Sequence, residues 1–428
     1  MLLKNGHLVD PIQAIDGIVD IRSENGIITE IGPDLPLLEG EVSYDFEGKY
    51  VLPGLIDTHT HLRDPGQAYA ETFETGTQAA IHGGYTTLVS MPNTQPSVDT
   101  VGVVRYLCDK SLNSPYADVL PSAGITKGLK GEELTELGKL YEAGAIAFTD
   151  DGYTINDPSV LVKAMRYARP FDPLFMSHCE DPSLKGKGVM NAGNLALKMG
   201  LAGISRESED IIIMRDIMLA NMCKARIHIC HLSTETGLEF IKNAKEKGQR
   251  VSCEVTPHHL FLTEDAVKGY NTFAKVAPPL RTKKDNEALI QGLKTGLIDC
   301  VGTDHAPHAL ENKNVEFERA ANGISNIEVT LPLLWTKLYL TGQFTLSELV
   351  QVTSVNPAKL LGLDQKGSLK IGAIADLVVV DPKIEKTVDT NEFYSKGKNC
   401  PFIGEKLFGW PWMVFKNGKL VLSEGRIV

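Results

Sequence analysis

The sequence predicts an α/β protein: a (β/α)8 TIM-like barrel over residues 53–363, with a small β-sandwich domain formed by both chain termini, residues 1–52 and 364–428. Three observations carry this. Short apolar, β-rich runs alternate with amphipathic helical segments through the middle of the chain, the signature of a parallel sheet. That middle, about 310 residues long, suits an eight-fold barrel with long loops. The two ends share the pattern K-N-G-x-L-V, in LLKNGHLVD (2–10) and VFKNGKLVL (414–422).

Each terminal stretch reads as two short apolar runs around Asn-Gly, the strongest short hairpin signal. GIVDIRSENGIITEIG (17–32) repeats it, and GSLKIGAIADLVVVDP (367–382) alternates and then runs apolar. In the middle, strands are expected after the VLPGLI segment, at YTTLVSM (85–91), AIAF (145–148), PLFMSH (173–178), RIHICH (226–231), VSCEVT (251–256) and IDCVGTDH (298–305). Helical patterns lie between them, including ETFETGTQAAIHGG, PSVLVKAMRYA, EDIIIMRDIMLANMC and TGLEFIKNAKEKG. Gly83-Gly84 stops the first of these and Gly248 the last. A doubly wound open sheet would announce itself by a Gly-rich phosphate loop after its first strand, and none is present.

The net charge of −11 excludes a nucleic-acid backbone as main partner, and an anionic substrate would need a locally cationic cavity. No apolar run reaches the roughly 18 residues of a membrane span. MLLKNGHLVD turns polar too early for a signal peptide. The seven cysteines are widely spaced without a C-x-x-C pair, so they read as core residues of a protein in a reducing cytoplasm.

Chemistry in a parallel barrel sits at the C-terminal ends of its strands. Five runs end in candidate metal ligands: His59 and His61, Asp150 and Asp151, His178, His231, and Asp304 with His305 and His308. Side chains at i and i+2 of a strand share a face, so His59 and His61 point together into the barrel mouth. Arg63 continues that alternation, and its planar fork suits a carboxylate; the alternative is an ion pair with Asp64. Imidazole and carboxylate are the donors that zinc prefers, and one carboxylate can join two ions. Spacing does not choose between Asp150 and Asp151, nor between His228 and His231. His258 and His259 read as supporting or core residues.

Together, H-x-H-x-R-D-P-G (59–66), SMPNT (90–94), FTDDG (148–152), HCED (178–181), HICHLST (228–234), EVTPHHL (254–260) and GTDHAPH (302–308) resemble the metal-dependent dihydroorotases of the amidohydrolase superfamily, over nearly the whole chain. The resemblance implies reversible cyclisation of N-carbamoyl-L-aspartate to L-dihydroorotate, with one or two Zn2+ per chain and two favoured. It implies His59, His61 and Asp304 on the first metal, Asp151 as bridge, and His178 and His231 on the second. Asp304 is the expected general base and acid, while Arg63, Asn93, His308 and the backbone near Asn322 and Gly323 are the expected substrate contacts. Relatives acting on hydantoins, dihydropyrimidines or allantoin usually bridge their metals with a carboxylated lysine, and AIAFTDDG contains none. A non-catalytic partner of aspartate carbamoyltransferase is a further alternative, though such relatives generally lose metal ligands. A homodimer and association with that transferase are the implied partners. The chain departs from the family at Ala277, where Asn often precedes PPLR, at SNIEVT (325–330) and at LAGIS (201–205).

Overall fold

A computed structural model describes residues 1–428. Eight parallel strands form the central sheet: β1 Leu55–Thr60, β2 Tyr85–Ser90, β3 Asp118–Ala123, β4 Ala147–Phe148, β5 Leu174–Ser177, β6 Arg226–Ile229, β7 Val251–Val255 and β8 Cys300–Val301. Neighbours pair in sequence order, and a parallel bridge between Thr60 and His305 closes the ring. The His61 N–H donates to the His305 carbonyl at 2.9 Å at that seam.

Alternation along each strand builds two cores. Outward residues such as Leu55, Leu88, Phe175, Ile227, Ile229, Val251, Cys253 and Val301 join a cluster of 64 buried residues under the helices. Inward residues Ile56, Val89, Leu174 and Met176 meet Ala358 and Leu361 of the helix Asn356–Leu361, which plugs the bottom of the barrel. Nearer the top the inward positions turn polar, with Thr58, His228 and Glu254 all fully buried. One strand escapes the sequence reading: DVLPSA carries Pro121, which weakens a strand prediction. Here Pro121 offers its carbonyl to the Ile146 N–H and pairs in register with Ser90.

The termini form a nine-stranded sheet from strands between Leu2 and Pro53 and between Leu377 and Ile427. It closes on a cluster of 11 buried residues that includes Leu8, Ile21, Phe46, Val379 and Phe415. Two of the three Asn-Gly pairs in the terminal segments turn as expected. Asn25-Gly26 and Asn417-Gly418 have positive φ at both residues and join adjacent antiparallel strands. The first does not: the strand Leu2–Asp10 runs straight through Asn5-Gly6, with a bulge between Leu3 and Gly6. Asn5 is pinned to Asp20 and Asp45, and a Cβ on Gly6 would stand 2.6 Å from Val51. Gly6 therefore serves close packing rather than a turn.

Part of the C-terminal segment leaves this sheet. Val388, Phe393, Cys400, Phe402, Leu407 and Trp410 pack on Val329 and Leu333 beside the barrel. All seven cysteines are free and six are buried. No helix is long and apolar enough to cross a membrane.

Candidate metal centre and substrate cavity

The C-terminal ends of the strands open on a cavity of about 350 Å³, a size suited to a small ligand. Its lining includes His61, Arg63, Asn93, Asp151, His178, His231, Ala277, Asp304, His308, Asn322 and Gly323. His59 is fully buried just behind them.

Asp151 lies between two imidazole pairs. Its Oδ2 is 3.4 Å from His59 Nε2 and 3.5 Å from His61 Nε2. Its Oδ1 is 3.6 Å from His231 Nε2 and 3.7 Å from His178 Nδ1. Asp304 Oδ1 completes the first group, 3.1 Å from His61 Nε2 and 3.8 Å from His59 Nε2. Burial alone would push the Asp151 and Asp304 carboxyls up, but the surrounding imidazoles outweigh it and hold both well below the usual carboxylate range. His59 Nε2 and Asp151 Oδ1 are buried and have no hydrogen-bond partner. Buried polar atoms are rarely left so, and these converge from separate strands with nitrogen and oxygen donors only. The donor set fits a borderline divalent cation such as zinc.

The strand ends explain what spacing left open. β4 stops at Phe148, so Asp150 and Asp151 are placed by a turn. Asp150 accepts from the Ile125 and Thr126 N–H groups at 2.8 and 3.0 Å, which leaves Asp151 in the cavity. His228 stays inside the barrel, 3.1 Å from Glu254. His231 lies past the end of β6 at φ 35°, and Asp304 past β8 at φ 44°. Non-glycine residues rarely adopt such φ, and they cluster at functional sites.

Arg63 reaches the cavity by a different route from the one expected. β1 ends at Thr60 and Arg63 sits at φ 58°, so a left-handed turn, not strand alternation, aims it inward. The Arg63–Asp64 ion pair does not form. Asp64 is taken by Lys110 at 2.8 Å and by the Tyr106 hydroxyl at 3.0 Å. Arg63 is almost fully buried, donates from Nε to the Pro307 carbonyl at 3.2 Å, and has no carboxylate partner. His308 lies beside it, 3.4 Å from Arg63 Nη2, and donates from Nε2 to the Asn322 carbonyl at 2.7 Å. Burial, with Arg63 and Lys313 adding to it, pushes His308 down to about 3, so the ring is neutral. Gly323 has φ 139°, and a Cβ there would be 2.9 Å from His308.

Residues outside the candidate ligand set support this arrangement. Glu254 accepts from His59 Nδ1 at 2.7 Å, from His228 and from Thr58, which turns the other His59 nitrogen toward the cavity. A Cβ on Gly302 would meet Glu254 Oε2 at 2.5 Å. Asn93 Oδ1 takes the His61 Nδ1 proton at 2.9 Å, so Asn93 orients a candidate ligand as well as lining the cavity. Glu180 bonds Lys185 and stands 3.5 Å from His178 Nε2. His258 Nδ1 accepts from Asn326 at 3.1 Å, and His259 Nε2 donates to the Pro278 carbonyl at 3.0 Å. Both rings thus hold loops around the site.

Residues 48–237 match the family model described as dihydro-orotase-like, and residues 284–428 match that of an amidohydrolase family. A dihydroorotase of Acetivibrio thermocellus is 50% identical, covering 99% of both chains. Dihydroorotases of Thermoanaerobacter and Ruminiclostridium cellulolyticum are 47% and 46% identical at 98% coverage or more. Among solved structures, the L-hydantoinase (dihydropyrimidinase) of Arthrobacter aurescens superposes with a TM-score of 0.90 at 28% identity, covering 100% of this chain and 97% of its own. The dihydropyrimidinase of Brevibacillus agri gives 0.87 at 26%, covering 100% and 96%. The shared barrel and the far higher identity to the first group assign the chain: it belongs to the dihydroorotase family of amidohydrolases.

Proposed function

We propose that the protein catalyses the reversible cyclisation of N-carbamoyl-L-aspartate to L-dihydroorotate, a step of pyrimidine biosynthesis. The observation that carries this is Arg63, a buried guanidinium without a carboxylate partner, in the same cavity as Asp151 and Asp304. A hydrolytic centre alone would suit any cyclic amide. A free cationic fork beside it suits one bearing a carboxylate. His59, His61, Asp151 and Asp304 would hold one Zn2+, and Asp151, His178 and His231 a second. Zinc supplies Lewis acidity there, lowering the pKa of water and polarising a carbonyl.

The residues do the rest. In ring opening, a water oxygen bonds to the ring carbonyl carbon, and the Asp304 carboxylate accepts the proton that water gives up. As the carbon–nitrogen bond breaks, Asp304 returns that proton to the departing nitrogen. Ring closure is the reverse, with loss of water. Arg63 holds the substrate carboxylate, joined by an Asn93 amide whose oxygen is already engaged by His61, so its NH2 is the group left to donate. Neutral His308 and the backbone at Asn322 and Gly323 complete the ring contacts. Ala277 lines the cavity where relatives often carry Asn, and its methyl group leaves the hydrogen bond there to backbone or solvent.

The division into a catalytic unit at 53–363 and a terminal unit at 1–52 and 364–428 belongs to this proposal, as does a cytoplasmic setting. So do a homodimer and association with aspartate carbamoyltransferase, tested by sedimentation of the chain alone and mixed with that enzyme. The deciding assay is ring opening of dihydroorotate, hydantoin, dihydrouracil and allantoin by enzyme of measured metal content. Dihydroorotate should be the preferred substrate, and preference for any of the others overturns the reading. Arg63→Met should raise KM for carbamoyl aspartate by on the order of tenfold or more, as loss of a charged paired hydrogen bond requires. An unchanged KM removes Arg63 from substrate binding.

A further inference from the structure

Two lysines behind the cavity wall have no acidic partner. Lys275 is 4% exposed, and its Nζ donates to the carbonyls of Phe317, Glu318 and Ala320 at 2.8, 2.9 and 2.8 Å. Lys313 is 1% exposed and donates to the carbonyls of Thr272, Ala321 and Lys275 at 3.1, 2.7 and 3.4 Å. Three acceptors around each nitrogen match the three N–H groups of an ammonium ion. Burying a cation against carbonyl dipoles alone is unfavourable. Burial lowers Lys275 to about 8, and burial with the nearby Lys275 and Arg63 lowers Lys313 to about 7.

These lysines lie close to the substrate contacts. Lys313 binds the Ala321 carbonyl, and the next carbonyl, Asn322, takes the His308 proton beside Arg63. Ala321, Asn322 and Gly323 line the cavity themselves. The Gly323 N–H donates to the Lys275 carbonyl at 2.9 Å. Lys185, also in the lining, is neutralised by Glu180, whereas Arg63, Lys275 and Lys313 are not paired with any carboxylate. Below pH 7, where both lysines keep their protons, a chain of net charge −11 gathers three cations without a salt-bridge partner around one cavity. A neutral amide could hold part of each loop without burying a charge, so the charge is the feature that loop fastening leaves unexplained.

We infer that Lys275 and Lys313 are specificity-determining residues whose charge, set behind the cavity wall, selects an anionic ring and its open-chain dianion over neutral cyclic amides of the same size. This rests on the dihydroorotase reading, and it names what would separate that activity from action on neutral rings such as hydantoin and dihydrouracil. The site needs an anion to balance its cations. A neutral ring fills the same space and leaves them unbalanced.

The test uses the full-length zinc-loaded protein at pH 6, where both lysines are charged, and two probes of the same shape, orotate and its uncharged carboxamide, with affinities measured by calorimetry. Lys313→Gln and Lys275→Gln keep a hydrogen-bond donor and remove the charge. Lys313→Gln should weaken orotate about tenfold and leave the carboxamide within about twofold, as loss of a unit charge near the bound carboxylate at an intermediate effective dielectric requires. Lys275→Gln should act in the same direction, and Lys313→Arg should restore the preference for orotate. Reading the ratio of affinities within each variant cancels general damage to the loop. Equal losses for both probes, or no loss for either, overturn the inference and leave the lysines as loop fasteners. Wild-type protein that binds neither probe but opens hydantoin sinks the dihydroorotase reading instead.

Discussion

His59 can offer Nε2 to a metal because its other ring nitrogen is bonded to Glu254, and Glu254 is held in turn by Thr58 and His228. Glu254→Gln replaces one acceptor oxygen with a donor and favours the wrong His59 tautomer. Zinc affinity, read by chelator competition, should fall by about 10–100-fold. A variant that holds zinc as tightly as wild type would make Glu254 mere packing. Asp304→Asn differs in kind. It should keep most of the metal and lose turnover by about 10³-fold, because the carboxylate proposed to carry the proton is gone; substantial retained turnover would place the general base elsewhere. The sequence exposed these residues unevenly. His59 and His61 are readable from spacing because β1 stays extended as far as Thr60, although its register against β2 shifts on the way. Asp151 over Asp150 was not, because the chain turns after Phe148 and period-two reasoning ends there. Glu254 carried no signal beyond an acidic residue in an apolar strand, which was itself the clue: a lone carboxylate on the inward face needs partners.

Elements were legible where their pattern was undisturbed. Strands β6 and β7 alternate between apolar residues of the outer core and polar inward residues, and the apolar run of β5 divides between the outer core (Phe175) and the inner one (Leu174 and Met176). β3 was hidden by Pro121, and the bulge at Asn5-Gly6 imitated a hairpin. Nothing in the sequence near Asn399 marks it as more than part of the terminal domain, yet it braces the site. Asn399 accepts from the His308 N–H at 3.0 Å and donates to the carbonyls of Ala306 and Gly323, both at 3.0 Å. It thereby fixes two cavity loops from a distant part of the chain. Asn399→Ala leaves those buried groups unpaired and should cost about 2–3 kcal/mol of stability. KM for carbamoyl aspartate should rise with kcat less affected, since Asn399 touches the loops proposed to bind substrate and not Asp304. A thermal melt and a KM–kcat comparison check both parts. An intact KM would mean that His308 and Gly323 keep their places without the brace.

At the scale of the molecule, the barrel and its terminal sheet follow from alternation and the matching ends, but the charge distribution does not. Buried lysines look like surface lysines in a sequence, so the net charge of −11 concealed a cationic cavity wall. That wall also shapes the pH dependence of folding. His308, half-buried beside Arg63, stays neutral down to about 3, whereas an unfolded histidine titrates near 6.5. Between those values the unfolded chain binds a proton that the folded chain refuses. Stability contributed by this group is therefore complete above pH 6.5 and is lost as pH falls toward 3. His258, pushed down to about 4 by burial, adds to the same trend. His308→Gln removes one of these protons from the balance without touching a metal-ligand candidate, so acid loss of metal affects both proteins alike. Denaturant unfolding at pH 6.5 and 4.5 should show wild type losing on the order of 1–2 kcal/mol more than the variant. Parallel losses would mean that His308 accepts its proton in the folded protein, and that the cations beside it are already balanced.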